Sequence, residues 1–194
     1  MLKVAFAGTH GSGKTTLTSK LCSMLDLEPI VVSRPTAVAQ KMGYKKAADV
    51  PKDLFDVFQL RSLFEQIFSE RACLNLYYNR EINGFASDRS TIDYLAYYFY
   101  GIAKDQRETD LLAKSYKQIA VEHAATYDFI FYLPPNPAGV EDDGRRFTDD
   151  PGGIDTLIRQ VAEEAGLKLT PVPWMPIDER AKYVAKILRG CDVT

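Results

Sequence analysis

An α/β fold, a parallel sheet carrying helices on both faces, is what this sequence predicts, and two features predict it. Short β-branched or aromatic runs alternate with stretches of helical period along the whole chain, at residues 2–7, 29–33, 84–90, 127–134 and 167–173. The first of those runs leads straight into a glycine-rich turn and then a helix pattern, the local signature of a βαβ unit. With 194 residues and no internal repeat or low-complexity tract, residues 1–194 are expected to form one domain.

The elements follow in order. "LKVAFA" reads as a strand buried on both faces, and "KTTLTSKLCSML" shows helical spacing at Leu17, Leu21 and Leu25. "PIVVS" is a second strand, and "TAVAQKMG" a short helix stopped by Gly43. "YKKAADVPKD" is polar enough to be a loop. From Asp53 to Tyr78, Leu60, Leu63, Phe64, Ile67 and Phe68 recur at three- and four-residue steps, which makes one long amphipathic helix. "GFASDRS" is a strand ending in charge, with helices expected over 91–100 and 108–125. "YDFIFYLP" is the plainest strand, aromatic, β-branched and closed by two prolines. The polar, Gly- and Pro-rich residues 135–152 read as a lid, since long structureless segments inside a domain are commonly functional. "IDTLIRQVAEEAG" is a helix stopped by Gly166, "LKLTPVP" the last strand, and "IDERAKYVAKILRG" the last helix, with Gly190 past its end.

Composition excludes several function classes. The chain is 46% hydrophobic and 26% charged with net charge −2, so there is no global attraction to nucleic acid or an anionic membrane. Cys22, Cys73 and Cys191 form no C-x-x-C pattern, and with only His10 and His123 a Cys/His zinc site is not expected. "MLKVAFAG" lacks the basic lead and long apolar core of a signal peptide, and no stretch is long and apolar enough to cross a membrane. A cytoplasmic protein with reduced thiols and no membrane partner is the expectation.

Gly8, Gly13, Lys14 and Thr15 satisfy G-x-x-x-x-G-K-[ST], with the required strand before and helix after. A polyphosphate must meet many N–H donors at short range, and glycines let the backbone wrap it. The helix start adds unpaired N–H groups and a positive dipole end. Gly8, His10, Gly11, Ser12, Gly13, Lys14, Thr15 and Thr16 are therefore the expected ATP cradle, with Lys14 on the outer phosphates and the Thr15 hydroxyl on Mg²⁺. His10 is a spacer in that loop, with no chemical task of its own.

"SDRS", residues 87–90, supplies what transfer chemistry needs. Asp88 at a strand end is placed to take a proton from an attacking hydroxyl or to hold Mg²⁺, and Arg89 to grip a phosphoryl group. Arg145 and Arg146 sit in the expected lid, where closure would deliver a cation to the transferring phosphoryl and exclude water; Arg145, next to Gly144, is the preferred one.

Taken together, "GTHGSGKTT", "SDRS", "YDFIFYLPP" and "EDDGRRFTDD…IDTLIRQVAEEAG" resemble the P-loop kinases of the nucleoside and nucleotide kinase superfamily. The nearest likeness is to the AAA-type, nicotinamide-riboside-kinase-like branch of bacteria and their phages. It extends over nearly the whole chain. It implies a P-loop three-layer sandwich with sheet order 2-3-1-4-5, ATP·Mg²⁺ as donor, and a hydroxyl on a nucleoside-type acceptor. By position Asp88 would be base or magnesium partner, Arg89 a phosphate contact, and Arg145 or Arg146 the lid finger; a homodimer is compatible with the likeness. One departure matters. Many such kinases carry a glutamate base just before a proline after the second strand, where this chain has Ser33 and Arg34 before Pro35. Arg34 there suggests either an acceptor that already bears a phosphate, a nucleotide or a polynucleotide backbone, or a structural contact at the strand end.

For the acceptor, Gln59 and Gln66 lie seven apart on one face of the long helix, where amides can pair with a base edge or, as is commoner, are simply solvated. "DYLAYYFYG" can stack a base or simply fill the core. Lys41, Lys45, Lys46 and Lys52 surround one loop and would contact strand phosphates if it borders the cleft. Phage relatives include kinases acting on 5-hydroxymethyluracil within DNA; free nucleosides, deoxynucleoside monophosphates and ribosylnicotinamide are the other acceptors the resemblance allows. A nucleotide-gated ATPase without acceptor is the reading from another class.

Overall fold

The computed structural model describes residues 1–31, 35–108, 110–137 and 150–190. Five strands form one parallel sheet in the order β2-β3-β1-β4-β5: β1 is Leu2–Ala7, β2 Glu28–Ile30, β3 Gly84–Ser87, β4 Phe129–Tyr132 and β5 Leu169–Pro171. This is the expected 2-3-1-4-5 sheet. The helices are α1 (Lys14–Leu25), α2 (Pro35–Lys41), α3 (Phe55–Tyr78), α4 (Thr91–Lys104), α5 (Leu111–Ala124), α6 (Pro151–Glu164) and α7 (Ile177–Gly190).

Alternation along the strands divides the core into two layers. Val4 and Phe6 of β1 join Ala86 and Phe131 beneath α1 and α7, with Leu17, Leu21, Val184 and Leu188. Ala5 and Ala7 face the other way, with Phe85 and Ile130, under Leu63, Leu95 and Ile158 of α3, α4 and α6. Because β1 is central and every residue from Val4 to Ala7 is fully buried, it reads as a continuous apolar run. No helix among the described residues is long and apolar enough to cross a membrane.

Several elements differ from expectation. β2 is three residues, Glu28–Ile30, where five were expected; Val32, Ser33 and Arg34 lie outside the described residues. The polar stretch after α2 contains two single 3₁₀ turns, Ala47–Asp49 and Lys52–Leu54, the second running into α3. α6 starts three residues before the expected point. Asp150 caps it by accepting the Gly153 N–H at 2.8 Å, Pro151 occupies its first turn, and the Tyr100 hydroxyl donates to Asp150 at 2.9 Å. "DPGG" is therefore a helix start rather than the end of a lid. α7 includes Gly190. Residues 138–149, the bulk of the expected lid, lie outside the described residues.

Candidate functional site

At the carboxyl edge of the sheet the loops after β1 and β3 lie side by side, because those strands pair directly, Ala5 opposite Ser87. The loop after β1 is shaped by its glycines. Gly8 takes φ of +148° against the Leu133 carbonyl, where a Cβ would overlap the oxygen, and Gly13 takes φ of +90° as N-cap of α1. With no side chain capping α1, the N–H groups of its first turn are left to a ligand. The Lys14 ammonium is buried in this loop, donating to the carbonyls of Gly8 at 2.6 Å and Thr9 at 2.7 Å and lying 3.4 Å from Ser12 Oγ. Ser12 Oγ donates to the Thr9 carbonyl at 2.9 Å. The His10 backbone N–H donates to the Tyr97 hydroxyl at 3.2 Å, so residue 10 helps anchor the loop on α4 through its main chain. Gly11 and Thr16 sit on the open side, along a cleft described below.

From the neighbouring strand, Asp88 enters this loop. Its backbone N–H donates to the Ile30 carbonyl at 3.0 Å, which fixes the residue at the sheet edge. Thr15 Oγ1 donates to Asp88 Oδ2 at 2.9 Å, while Oδ1 is buried without a hydrogen-bond partner. A buried carboxylate oxygen with no donor is costly unless something positive meets it. A threonine hydroxyl beside a carboxylate is a hard-oxygen pair suited to Mg²⁺, which takes few protein ligands and completes its shell with phosphate and water. Among the described residues there is no group of three or more His, Cys, Asp or Glu that could hold a metal ion.

The guanidinium of Arg89 lies 5.8 Å from the ring centroids of both Tyr94 and Tyr97 on α4. Burial works against its charge, but Tyr94, Tyr97, Asp88 and Asp93 outweigh it, and its pKa is raised. Arg89 therefore remains a cation beside the Thr15–Asp88 pair. The tyrosine-rich run thus divides: Tyr94 and Tyr97 flank the arginine, while Tyr98 stacks on Tyr116 at 4.2 Å in the core.

Gln66 and Gln59 are both buried, and only Gln66 reaches the site. Its amide donates to Ser87 Oγ at 2.5 Å, to the Arg89 carbonyl at 3.1 Å and to Glu70, and it accepts from the Tyr94 hydroxyl at 3.3 Å. Glu70 in turn takes the Tyr127 hydroxyl at 2.8 Å and pairs with His123 at 2.6 Å. Gln59 lies two turns away, its carbonyl accepting from Tyr116 at 3.3 Å. Lys41 pairs with Glu65 at 2.7 Å and Lys52 with Asp105 at 2.6 Å. Arg34, Arg145 and Arg146 lie outside the described residues.

Three residues here escaped the sequence reading. Asp93, fully buried, accepts the Gly8 N–H at 2.8 Å; the signal for it was "STID", a capping box opening α4. Arg180 of α7 donates to the Ser12 carbonyl at 2.9 Å and the Met175 carbonyl at 2.8 Å, with its guanidinium 3.8 Å from the centroid of the Trp174 ring. These two border a cleft of about 600 Å³ that runs from Gly11, Gly13 and Thr16 to Trp174 and Pro176. The signal was "PWMP", an aromatic between prolines just past the last strand.

Comparisons with known proteins place the chain in a family and match its fold. A family model described as AAA domain matches residues 3–180. Among curated proteins no sequence matches this chain. Among solved structures, a deoxyadenosine kinase from M. mycoides with bound dCTP is similar in fold, with TM-score 0.67 and 11% identity over 97% of this chain and 100% of that one. The same enzyme with dCMP and dCDP bound gives TM-score 0.68 and 12% identity over 97% of this chain and 100% of that one. The YorR protein of Bacillus subtilis, solved with phosphorylated GDP, gives TM-score 0.51 and 18% identity over 96% and 95%.

Proposed function

The chain belongs to the AAA domain family, and from that premise we propose that it is an ATP-dependent kinase moving the γ-phosphate to a hydroxyl of a nucleoside-type acceptor. One observation carries the reading: Thr15 and Asp88 meet at 2.9 Å beside the Lys14 loop, with Asp88 Oδ1 buried and unpartnered. Phosphate loops also serve ATPases and switches, but a buried strand-end acid next to Arg89 suits transfer to an acceptor. The fold shared with a deoxyadenosine kinase and a protein holding a phosphorylated nucleotide supports the same reading.

In this mechanism the loop of residues 8–15 wraps the triphosphate, and the Lys14 ammonium moves from the loop carbonyls to the outer phosphates. Thr15 and Asp88 Oδ2 would hold Mg²⁺, which supplies charge neutralisation on the phosphate oxygens. Asp88 either holds Mg²⁺ in this way or acts as the base, in which case its carboxylate would take the proton of the attacking hydroxyl. Arg89 steadies the phosphoryl group or an acceptor oxygen. The lining of the Trp174 cleft gives the donor base an aromatic face next to the cradle. Arg145 or Arg146 would bring a cation to the transferring phosphoryl, and Arg34 would meet a phosphate on the acceptor; Gln66, fully buried with its N–H groups on Ser87, Glu70 and the Arg89 carbonyl and its own carbonyl taken by Tyr94, holds the strand end in place rather than reading a base.

The acceptor is found with γ-labelled ATP and a panel of free nucleosides, their monophosphates, nicotinamide riboside, and duplex DNA containing hydroxymethylated pyrimidine. Label on one of these acceptors is expected. Label released only as inorganic phosphate, with every acceptor, would make the protein an ATPase.

A further inference from the structure

Asp93 has no part in the chemistry above, yet its carboxylate touches both halves of the site. One oxygen accepts the Gly8 N–H at 2.8 Å; the other accepts the Ser90 N–H at 2.9 Å and the Ser90 hydroxyl at 3.1 Å. Gly8 opens the phosphate loop, and Ser90 directly follows Asp88 and Arg89. Capping α4 needs only the Ser90 contacts, and a capping acid is ordinarily solvated at its helix start. Here the residue is fully buried and spends its second oxygen on a loop 85 positions away. Burial raises its pKa, while Lys14, the Gly8 N–H, Arg89 and the Ser90 N–H pull it back down. A buried carboxyl group whose contacts all lie inside the protein is retained where its geometry is needed.

We propose that Asp93 is a positioning residue that couples the donor loop to the Asp88–Ser90 segment, so that a triphosphate held at one orders the other. The inference rests on the nucleotide reading of the loop. Gly8 and Ser90 donate to opposite oxygens of one rigid carboxylate at the start of one helix. A shift of the loop on loading is therefore passed to Ser90, and with it to the acid and the arginine that precede it.

The test is hydrogen exchange over residues 8–15 and 86–93, with and without ATP, in EDTA so that no metal bridges Thr15 to Asp88. In the native protein ATP should slow exchange in both segments, by about fivefold or more in the second. Asp93→Asn places an amide NH₂ opposite one of its former donors; ATP should then slow residues 8–15 as before but residues 86–93 several-fold less, the Thr15–Asp88 hydrogen bond alone remaining, with its affinity within about threefold of native. A general loss of stability would raise exchange with and without ATP alike and leave their ratio standing. Ser90→Ala, which removes one donor and adds no clash, should reduce the slowing of 86–93 about twofold. Equal slowing of 86–93 in native protein and both variants overturns the proposal, as does slowing confined to the loop in native protein. No slowing anywhere overturns it together with the nucleotide reading beneath it.

Discussion

Thr15 and Asp88, 73 positions apart in the chain, are joined by a 2.9 Å hydrogen bond from the threonine hydroxyl to one carboxylate oxygen. The contact exists because β1 and β3 are neighbours in register, so the turn after one strand faces the residue after the other. It places a hydroxyl, a carboxylate and the Lys14 ammonium within one loop width, the minimum set for handling a metal-bound triphosphate.

Removing the charge from that set should separate binding from transfer. Asp88→Asn keeps the shape and still accepts from Thr15, so nucleotide affinity should stay within a few-fold while turnover falls about a hundredfold or more. Lys14→Ala should lose both transfer and tight triphosphate binding, with the far-ultraviolet spectrum unchanged, since its loop contacts are local. Full turnover in the Asp88 variant would take that residue out of the chemistry.

A second expectation concerns the far end of the cleft. Trp174 is the single tryptophan of the chain, 44% exposed as a residue, with Arg180 against its ring. Base stacking on such a ring is worth about 1–3 kcal/mol, so Trp174→Ala should weaken ATP binding roughly five- to a hundredfold. In the native protein ATP should quench the tryptophan emission, while inorganic tripolyphosphate, having no base, should leave it nearly unchanged. Equal quenching by both would place the base elsewhere.

What was legible in the sequence was whatever is local. The glycine loop announces itself because strand, turn and helix are contiguous, and Asp88 and Arg89 can be singled out because they end a strand. What was hidden depends on packing between distant segments. Nothing in "STID" says that its acid reaches back to Gly8, and nothing in "IDER" says that Arg180 grips the Ser12 carbonyl. Gln66 was visible as an amide on a helix face, and its contact with Glu70 one turn on is local, but its engagement with Ser87 and Tyr94 follows from where β3 and α4 lie against α3. The early start of α6 was missed because two glycines after Pro151 resemble a loop, whereas the Asp150 cap outweighs them.

The thiols supply a test of the core that needs no substrate. Cys22 packs beneath α7, and burial pushes its thiol up to about 12; Cys73 on α3 is likewise pushed up by burial, to about 11. Both values lie above the unfolded thiol's 9.0, so the reactive thiolate is scarcer in the folded chain at any pH below them. At pH 8 both thiols are therefore far less ionised in the folded chain than in the unfolded one, before the shielding of each sulfur is counted. With Cys191→Ser removing the third cysteine, the folded protein should therefore react with a disulfide reagent at least about a hundredfold slower than the same chain in urea. ATP should slow the reaction further, since a ligand bound to the folded state alone reduces opening of that core. Rapid labelling of Cys22 without denaturant would mean that the layer between the sheet and α1 and α7, which carries the phosphate loop, is not packed as described.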